Sequence, residues 1–202
     1  MALNNKIKWS AILNSPYFTS CLVLKVLAEQ YQQMVDKANS DNNMGYFEFI
    51  HAIIQTESAA KKQRQIEYLI SGSKLPQPLK LLGDFDFDFQ PNLDRRLIMD
   101  LASLQFLEKN QSILLTSTNN GVGKSHIARS LALLACQNGH KTLYTTCSDL
   151  ILDLNQGVFE KTLEKRMKKY TNPELLVVDE MGYAELFIIP KYVNISLIYK
   201  AY

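Results

Sequence analysis

A short glycine-rich stretch with one lysine carries the clearest chemistry in this sequence. Gly121 and Gly123 flank Val122, and Lys124 and Ser125 follow directly. Glycines let the backbone turn its N–H groups inward, a lysine there can bridge the outer phosphates of a nucleotide, and a serine hydroxyl can bind Mg²⁺. The pattern therefore predicts a phosphate-binding loop in which Lys124 has a catalytic role and Ser125 is a metal ligand.

The beginning of this loop departs from the usual pattern G-x-x-x-x-G-K-[ST], because Thr118 stands where the first glycine is expected. A β-branched residue disfavours the positive φ angle that glycine tolerates, so we expect this part of the loop to be strained or differently shaped. Nucleotide binding is expected to survive in weakened form. The predicted binding segment continues from Thr118 through Asn119 and Asn120 and ends at His126.

Two acidic residues follow a buried apolar run further along the chain. Residues 175–178 predict a strand, and Asp179 and Glu180 come directly after it. Ligands of such sheets bind at the carboxyl ends of strands, so Asp179 would hold Mg²⁺ through its water shell beside Ser125. Glu180 would polarise a water molecule for attack on the outer phosphate. Alone, such a run is more typical of a strand end that meets solvent, but the upstream loop strengthens the catalytic interpretation.

Apolar runs and helical segments alternate around both motifs. Residues 112–115 predict the buried strand before the loop, and an apolar stripe that begins at Ile127 predicts a helix after it. KTLYTT, residues 141–146, predicts a further strand, with helical sequence between it and the acidic pair. This alternation is typical of an α/β fold with a parallel sheet and crossover helices.

The N-terminal third of the sequence has helical patterns instead. Apolar residues at helical spacing predict one amphipathic helix at about residues 22–37 and a second at about residues 46–70. A polar run separates the two helices, and Ser71 and Gly72 stand at the end of the second. We therefore expect a helical region before the α/β part.

Two short segments lie between these helices and the alternating part. Prolines in KLPQPLK, residues 74–80, predict an extended connector. The strict alternation of DFDFDF, residues 84–89, predicts an extended segment that lays Phe85, Phe87 and Phe89 against a neighbour. The resulting organisation is a helical region at 1–73, a linker and docking segment at 74–96, and a phosphate-loop core at 97–202.

The composition is that of an ordinary folded protein. Its 202 residues are 47% hydrophobic and 21% charged, and the net charge of +2 is too small to imply nucleic acid by itself. The three cysteines lack metal-binding spacing and favour a reducing compartment. No apolar stretch approaches the roughly 20 residues of a membrane helix. We expect a cytoplasmic protein without a membrane anchor.

Two clusters of basic residues are candidates for contact with DNA phosphates. The first basic cluster comprises Lys61, Lys62, Arg64, Lys74 and Lys80, and the second comprises Lys161, Lys165, Arg166, Lys168 and Lys169. A solvated helix face explains the second cluster better than DNA binding does. For the first cluster the two interpretations are balanced.

Several of these segments resemble the IstB-like ATPases, helper proteins of bacterial insertion sequences that are similar to the DnaC-type loaders of the replicative helicase. The resemblance is carried by GVGKSHIARSLALLACQNGHKTLYTTCSDLILDL, residues 121–154, and by LLVVDEMGY, residues 175–183. It extends over about residues 24–186. It implies an AAA+ ATPase core, a P-loop parallel sheet with crossover helices, behind a helical N-terminal region.

The resemblance also implies a function. Family members assemble on DNA in an ATP-dependent manner and assist a transposase, so ATP, Mg²⁺, DNA, a transposase and further copies of the chain are the implied cofactors and partners. Lys124, Ser125, Asp179 and Glu180 match the family's nucleotide residues one by one. His126 also matches, although a histidine on a first helical turn is more often a surface or capping residue. The alternatives are a loader of a replicative helicase and a non-catalytic nucleotide-binding module.

Two features depart from the family pattern. One is Thr118, and the other is the tail FIIPKYVNISLIYKAY, residues 187–202, which does not resemble the segment after MGY in family members. Family members continue there through a sensor strand, an arginine finger and a helical lid. We therefore expect a truncated copy with an incomplete sheet and impaired hydrolysis, in which residues 113–115 lack a neighbouring strand. The alternation of apolar residues at 193–197 offers a substitute strand.

Overall fold

The computed structural model describes residues 33–36, 45–91, 93–117, 119 and 121–180. These residues divide into two compact units, one up to Arg64 and one from Gln65 onward. The helix predicted at residues 22–37 lies outside the described residues except at 33–36, which are helical. Within the described ranges, no helix combines the length and the apolar character that crossing a membrane requires.

Helix α1 spans Tyr46–Gly72 and confirms the second predicted helix. At its N-terminus the Glu48 carboxylate accepts a hydrogen bond from the Gly45 amide at 2.8 Å, which satisfies an amide just before the helix. Further along, Arg64 Nη2 donates to Glu57 Oε1 at 3.0 Å, and Glu57 is buried. One member of the first basic cluster is therefore engaged in an ion pair.

The second unit contains the remaining elements. In chain order they are a 3₁₀ turn (Leu82–Asp84), α2 (Arg95–Ala102), α3 (Gln105–Glu108), α4 (Lys124–Gln137), β1 (Thr142–Thr146), α5 (Cys147–Phe159), α6 (Leu163–Thr171) and β2 (Leu175–Asp179). The two strands are parallel, with Thr142 opposite Leu175 and Thr146 opposite Asp179. Helices α5 and α6 form the crossover between them, as the alternating pattern predicts.

Alternate side chains of the two strands enter two separate clusters. On one face Tyr144 and Val177 pack with the α4 alanines at positions 128, 132 and 135. On the other face Leu143 and Val178 pack with residues of α5 and α6, among them Tyr170. Because both faces are covered, residues 175–178 form an unbroken apolar run rather than an alternating one.

Helix α4 has a glycine at each end. Gly123 precedes its first residue with φ of 92°, and Gly139 follows it, also with φ of 92°. At the C-terminus the amides of Gly139 and His140 donate to the carbonyls of Cys136 and Ala135, which closes the last turn. The predicted helix after the phosphate loop is thus confirmed, and its orientation places its N-terminus at the loop.

The chain that leaves α1 runs along the side of β1 that faces away from β2. Ser73 is fully buried, and its carbonyl accepts a hydrogen bond from the Tyr144 amide at 2.7 Å. Its hydroxyl donates to the Ile70 carbonyl at 2.6 Å, which satisfies a group left over at the helix end. Residues 74–80, the predicted connector, contain no helix or strand, and Leu75 joins Tyr144 in the core.

The prediction of a buried strand at residues 112–115 is wrong. This segment has no regular secondary structure, and in the described part of the chain the sheet consists of β1 and β2. A strand needs a neighbour for its amide and carbonyl groups, and no described strand lies beside this one. Ile113 and Leu115 still pack against the core, whereas Leu114 is 55% exposed.

The prediction that DFDFDF is extended is wrong in part. The Asp86 carboxylate accepts hydrogen bonds from the amides of Asp88 at 3.0 Å and Phe89 at 3.1 Å, so the chain turns here. Aspartate favours such turns because its carboxylate competes for nearby amides. Phe85 is buried as predicted, but Phe89 lies on the turn and is 71% exposed.

A charged network joins α5 to α6. Asp153 accepts hydrogen bonds from Lys169 Nζ at 2.6 Å, from the Tyr170 hydroxyl at 2.5 Å and from Arg166. Lys169 first and Tyr170 next hold the pKa of Asp153 well below its usual range. Arg166 also pairs with Glu160 at 2.8 Å. Two members of the second basic cluster are therefore engaged within the fold, which agrees with a structural interpretation of that cluster.

We expect this network to make the stability of the fold depend on pH in acid. The pKa of Asp153 is lower in the folded chain than in the unfolded chain. Its contribution is therefore fully present above about pH 5 and is lost as the pH falls toward the folded value. Asp153→Asn removes the contribution, so the gap in free energy of unfolding between wild type and variant should shrink as the pH is lowered.

Urea unfolding at a series of pH values between about 6 and 3 measures this gap. Asp100→Asn is the control, because Asp100 is an exposed residue of α2 that takes no part in the network. The Asp100→Asn gap should stay small throughout. A gap for Asp153→Asn that does not change with pH would contradict the prediction.

Candidate functional site

The residues that the sequence singles out for nucleotide binding meet where α4 begins and β2 ends. Ser125 Oγ donates to Asp179 Oδ1 at 3.1 Å, although 54 residues separate the two in the chain. Lys124 is the first residue of α4, and Glu180 follows the last residue of β2. The two motifs therefore form one site in the second unit.

The glycines give the loop its shape. Gly121 has φ of 78° and Gly123 has φ of 92°, a region that residues with side chains rarely adopt. Because Gly123 directly precedes Lys124, the first amides of α4 have no partner within the helix and carry its positive end. A loop of this kind followed by a helix N-terminus suits a phosphate group.

Lys124 reaches back over the loop. Its Nζ donates to the Asn119 carbonyl at 3.0 Å. The Asn119 amide in turn donates to Ser117 Oγ at 3.1 Å, so this part of the loop is tied together. A phosphate oxygen would offer the ammonium group a charged acceptor, which makes a stronger hydrogen bond than a carbonyl does. The predicted binding residues Thr118 and Asn120 lie outside the described residues.

Asp179 is held on both of its carboxylate oxygens. Oδ1 accepts from Ser125 Oγ and from the Glu180 amide at 2.9 Å. Oδ2 accepts from the Tyr144 hydroxyl at 2.7 Å, and Arg129 Nη2 lies 4.0 Å from it. Since Asp179 is only 8% exposed, these donors take the place of water around a buried polar side chain.

Two of these contacts, those of Tyr144 and Arg129, were missed by the sequence reasoning. Tyr144 lies on β1 beside β2, and Arg129 lies one helical turn after Ser125. Burial and then the hydrogen bond to Asp179 raise the pKa of Tyr144 to about 12, so its hydroxyl keeps its proton at neutral pH. The available signals were a tyrosine within a predicted buried strand and an arginine four residues after the loop serine.

Glu180 follows β2 in a left-handed conformation. Its φ is 61°, and its side chain is exposed. This conformation costs a residue with a side chain about 1 to 2 kcal/mol, and such strain is concentrated at functional positions. Glu180 is the residue that the sequence predicts to polarise a water molecule. Because it follows Asp179 directly, it lies at the same end of the sheet.

The His126 side chain contacts Leu81 and Phe85 rather than the phosphate loop. Its Nε2 donates to the Leu81 carbonyl at 2.8 Å, and its ring meets Phe85 edge-on with centroids 5.4 Å apart. Phe85 also lies so close to Gly123 that a Cβ added there would be 2.4 Å from its Cε2. The segment that contains Leu81 and Phe85 is thus packed on the first turn of α4.

The site fits a magnesium ion. Ser125 and Asp179 supply a hydroxyl and a carboxylate, and Mg²⁺ prefers oxygen ligands. Ser125 donates its proton to Asp179, which leaves the lone pairs of its oxygen available to a cation. Among the described residues no three metal-binding side chains cluster. The ion would therefore depend on phosphate oxygens for further ligands, as Mg²⁺ commonly does.

Comparison with known proteins places the chain in a family. The family described as IstB-like ATP binding protein matches residues 19–201. This match includes nearly all of the tail at 187–202, which corrects the expectation that the tail departs from the family.

Three relatives come from insertion sequences. One, named as an ATP-binding protein of IS5376 from Geobacillus stearothermophilus, is 38% identical over 82% of this chain and 64% of that protein. Its counterpart in IS232 from Bacillus thuringiensis subsp. berliner is 33% identical over 80% of this chain and 64% of that protein. The counterpart in IS21 from Pseudomonas aeruginosa is 32% identical over 81% of this chain and 61% of that protein.

The chain thus spans less than two thirds of the length of each of these relatives. Its described residues carry the glycine loop before α4, the parallel pair β1 and β2, and the carboxylate that ends β2. Together with the match over residues 19–201, they show that the chain has an α/β P-loop fold and belongs to the IstB-like ATP-binding protein family.

Proposed function

We propose that the chain binds ATP with Mg²⁺ and uses the nucleotide to assist a transposase on DNA. The observation that carries the nucleotide part is the hydrogen bond from Ser125 Oγ to Asp179 Oδ1 at 3.1 Å. It joins the hydroxyl that follows the loop lysine to the carboxylate that ends β2. A magnesium–nucleotide site of the P-loop class needs this pair side by side.

Each residue of the site has a distinct task in this proposal. The loop amides and Lys124 would hold the phosphates, and Ser125 and Asp179 would hold Mg²⁺. When bound, the ion offsets the negative charge of the phosphate oxygens. Glu180, exposed at the end of β2, would accept a proton from the attacking water molecule.

The relatives favour a transposase over a replicative helicase as the partner. All three of those described above are named for insertion sequences. We propose DNA contact at Lys61 and Lys62, the two members of the first basic cluster that are exposed within the first unit. The second cluster is less suited, because Arg166 and Lys169 are engaged with Asp153. We also propose that the protein acts in the cytoplasm. Further copies of the chain would join it and the transposase on DNA.

Equilibrium binding tests the nucleotide proposal. Fluorescently labelled ATP is titrated into the purified chain, once with Mg²⁺ and once with EDTA, and unlabelled ATP is used as the competitor. We expect saturable binding that Mg²⁺ strengthens. The absence of binding under both conditions would refute the proposal.

Turnover distinguishes an ATPase from the alternative of a nucleotide-dependent interaction module. Phosphate release that Glu180→Gln abolishes would support an ATPase. Binding without turnover would support the interaction module. In either case the transposase of an insertion sequence should retain the chain on DNA in the presence of ATP, and retention by a replicative helicase instead would favour the loader alternative.

A further inference from the structure

We infer that Tyr144 is a positioning residue for the magnesium part of the site, an inference that rests on the proposed nucleotide function. The Tyr144 hydroxyl donates to Asp179 Oδ2 at 2.7 Å, on the oxygen opposite the one that Ser125 contacts. Tyr144 thus acts on the ion through the orientation of the Asp179 carboxylate.

The hydrogen bonds around the Tyr144 hydroxyl run in one direction. Arg129 donates to its oxygen from Nη2 at 3.2 Å and from Nε at 3.4 Å. A guanidinium group has no acceptor, so the phenol must accept from it, and the single phenolic proton is left for Asp179. Tyr144 is 6% exposed and Asp179 8%, so water competes little for either group.

This arrangement fixes the orientation of the Asp179 carboxylate relative to Ser125. Rotation about the Cβ–Cγ bond of aspartate has broad minima, so an unrestrained carboxylate could turn its plane away from Ser125. With Oδ2 engaged by Tyr144, Oδ1 is directed to Ser125 and to the Glu180 amide. Partners of this kind, one shell away from a metal ion, commonly set its affinity.

The position of the hydroxyl is itself well determined. Tyr144 lies opposite Val177 in the β1–β2 pair, two residues before Asp179. Its amide is bonded to the Ser73 carbonyl at 2.7 Å, its ring packs in the core, and the Arg129 guanidinium lies 5.4 Å from the ring centroid. Backbone, ring and hydroxyl are therefore restrained by different contacts.

Tyr144→Phe tests the inference, since it removes one oxygen atom and keeps the ring. Labelled ATP at fixed concentration is titrated with Mg²⁺, and the affinity for ATP in EDTA is measured separately. The apparent Kd for Mg²⁺ should rise about tenfold in the variant. The affinity for Mg²⁺-free ATP should stay unchanged, because the loop and Lys124 are not touched.

Tyr170→Phe is the matched control. Tyr170 is also buried and also donates its hydroxyl to an aspartate, Asp153, but on the opposite face of the sheet. It should leave both binding constants at their wild-type values. Arg129→Lys is the second variant, because lysine keeps the charge but lacks the forked donors, and it should show the same selective weakening of Mg²⁺ binding.

The outcomes separate the inference from the function on which it rests. If the wild type shows no Mg²⁺-dependent ATP binding, the proposed function fails and the inference fails with it. If the wild type shows it and Tyr144→Phe binds Mg²⁺ equally well, the inference alone fails. Equal weakening of Mg²⁺-dependent and Mg²⁺-free binding would indicate a general structural role and would also overturn it.

Discussion

Replacement of Lys124 by alanine is expected to remove the thermal stabilisation that ATP with Mg²⁺ gives to the folded chain. At about 100 times its dissociation constant, a ligand adds about 2.7 kcal/mol to the stability of a protein, or roughly 5 to 10 °C for a chain of this size. Lys124 supplies the ammonium charge at the loop, and charge-assisted hydrogen bonds to phosphate are among the strongest a side chain makes. The melting temperature of the variant should therefore be nearly indifferent to ATP.

Lys109→Ala is the control for the loss of a lysine charge. Lys109 is exposed beyond the end of α3, and its Nζ contacts Gln105 Oε1 at 3.5 Å. Its melting temperature should rise with ATP as that of the wild type does. The same ATP-dependent shift in Lys124→Ala and in the wild type would show that the loop is not the phosphate site.

Gly123→Ala is expected to destabilise the fold by about 2 to 5 kcal/mol. Two causes add. The φ angle of 92° costs alanine about 1 to 2 kcal/mol. In addition the new Cβ would lie 2.4 Å from Phe85 Cε2, and forcing a packed side chain aside costs about 1 to 3 kcal/mol. Phe85 has little room to move, because it is buried with Ile98 and Leu131 and contacts His126.

Gly139→Ala separates these two causes. Gly139 lies just beyond the other end of α4 with the same φ of 92°, and a Cβ there would have nothing within 4 Å. Its substitution should therefore cost only the backbone part, about 1 to 2 kcal/mol. Urea unfolding of both variants gives the difference. Equal costs would mean that Phe85 yields freely and does not restrain the loop.

The part of the site that a local motif specifies could be predicted from the sequence. Few residue types can replace glycine at a positive φ, or a hydroxyl and a carboxylate beside a metal ion, so their order carries much information. The spacing of Gly121, Gly123 and Ser125 and the acidic end of β2 were enough to predict a shared site. The structure brings Ser125 and Asp179 into hydrogen-bond contact.

Contacts between distant elements could not be predicted in this way. Tyr144 reaches Asp179 because β1 and β2 pair in one register, and a slip by one residue would turn its side chain to the opposite face. The apolar run at residues 112–115 predicted a buried strand by itself, and the expectation that this strand lacks a neighbour came from the resemblance to the family rather than from the run. In DFDFDF the alternation predicted an extended segment, and the local hydrogen bonds of Asp86 produced a turn instead.

The hydrogen bond from the Tyr144 amide to the Ser73 carbonyl bears on self-association. The edge of a sheet is a template on which a strand of another molecule can add, and this is a common route to aggregation. In β1 the central outward amide is already occupied by Ser73, which is fully buried. Pro76, three residues further on, has no amide to donate to an incoming strand. Within the described part of the chain the connector thus covers the side of β1 that faces away from β2, and a second molecule would have to displace a buried serine before it could pair there.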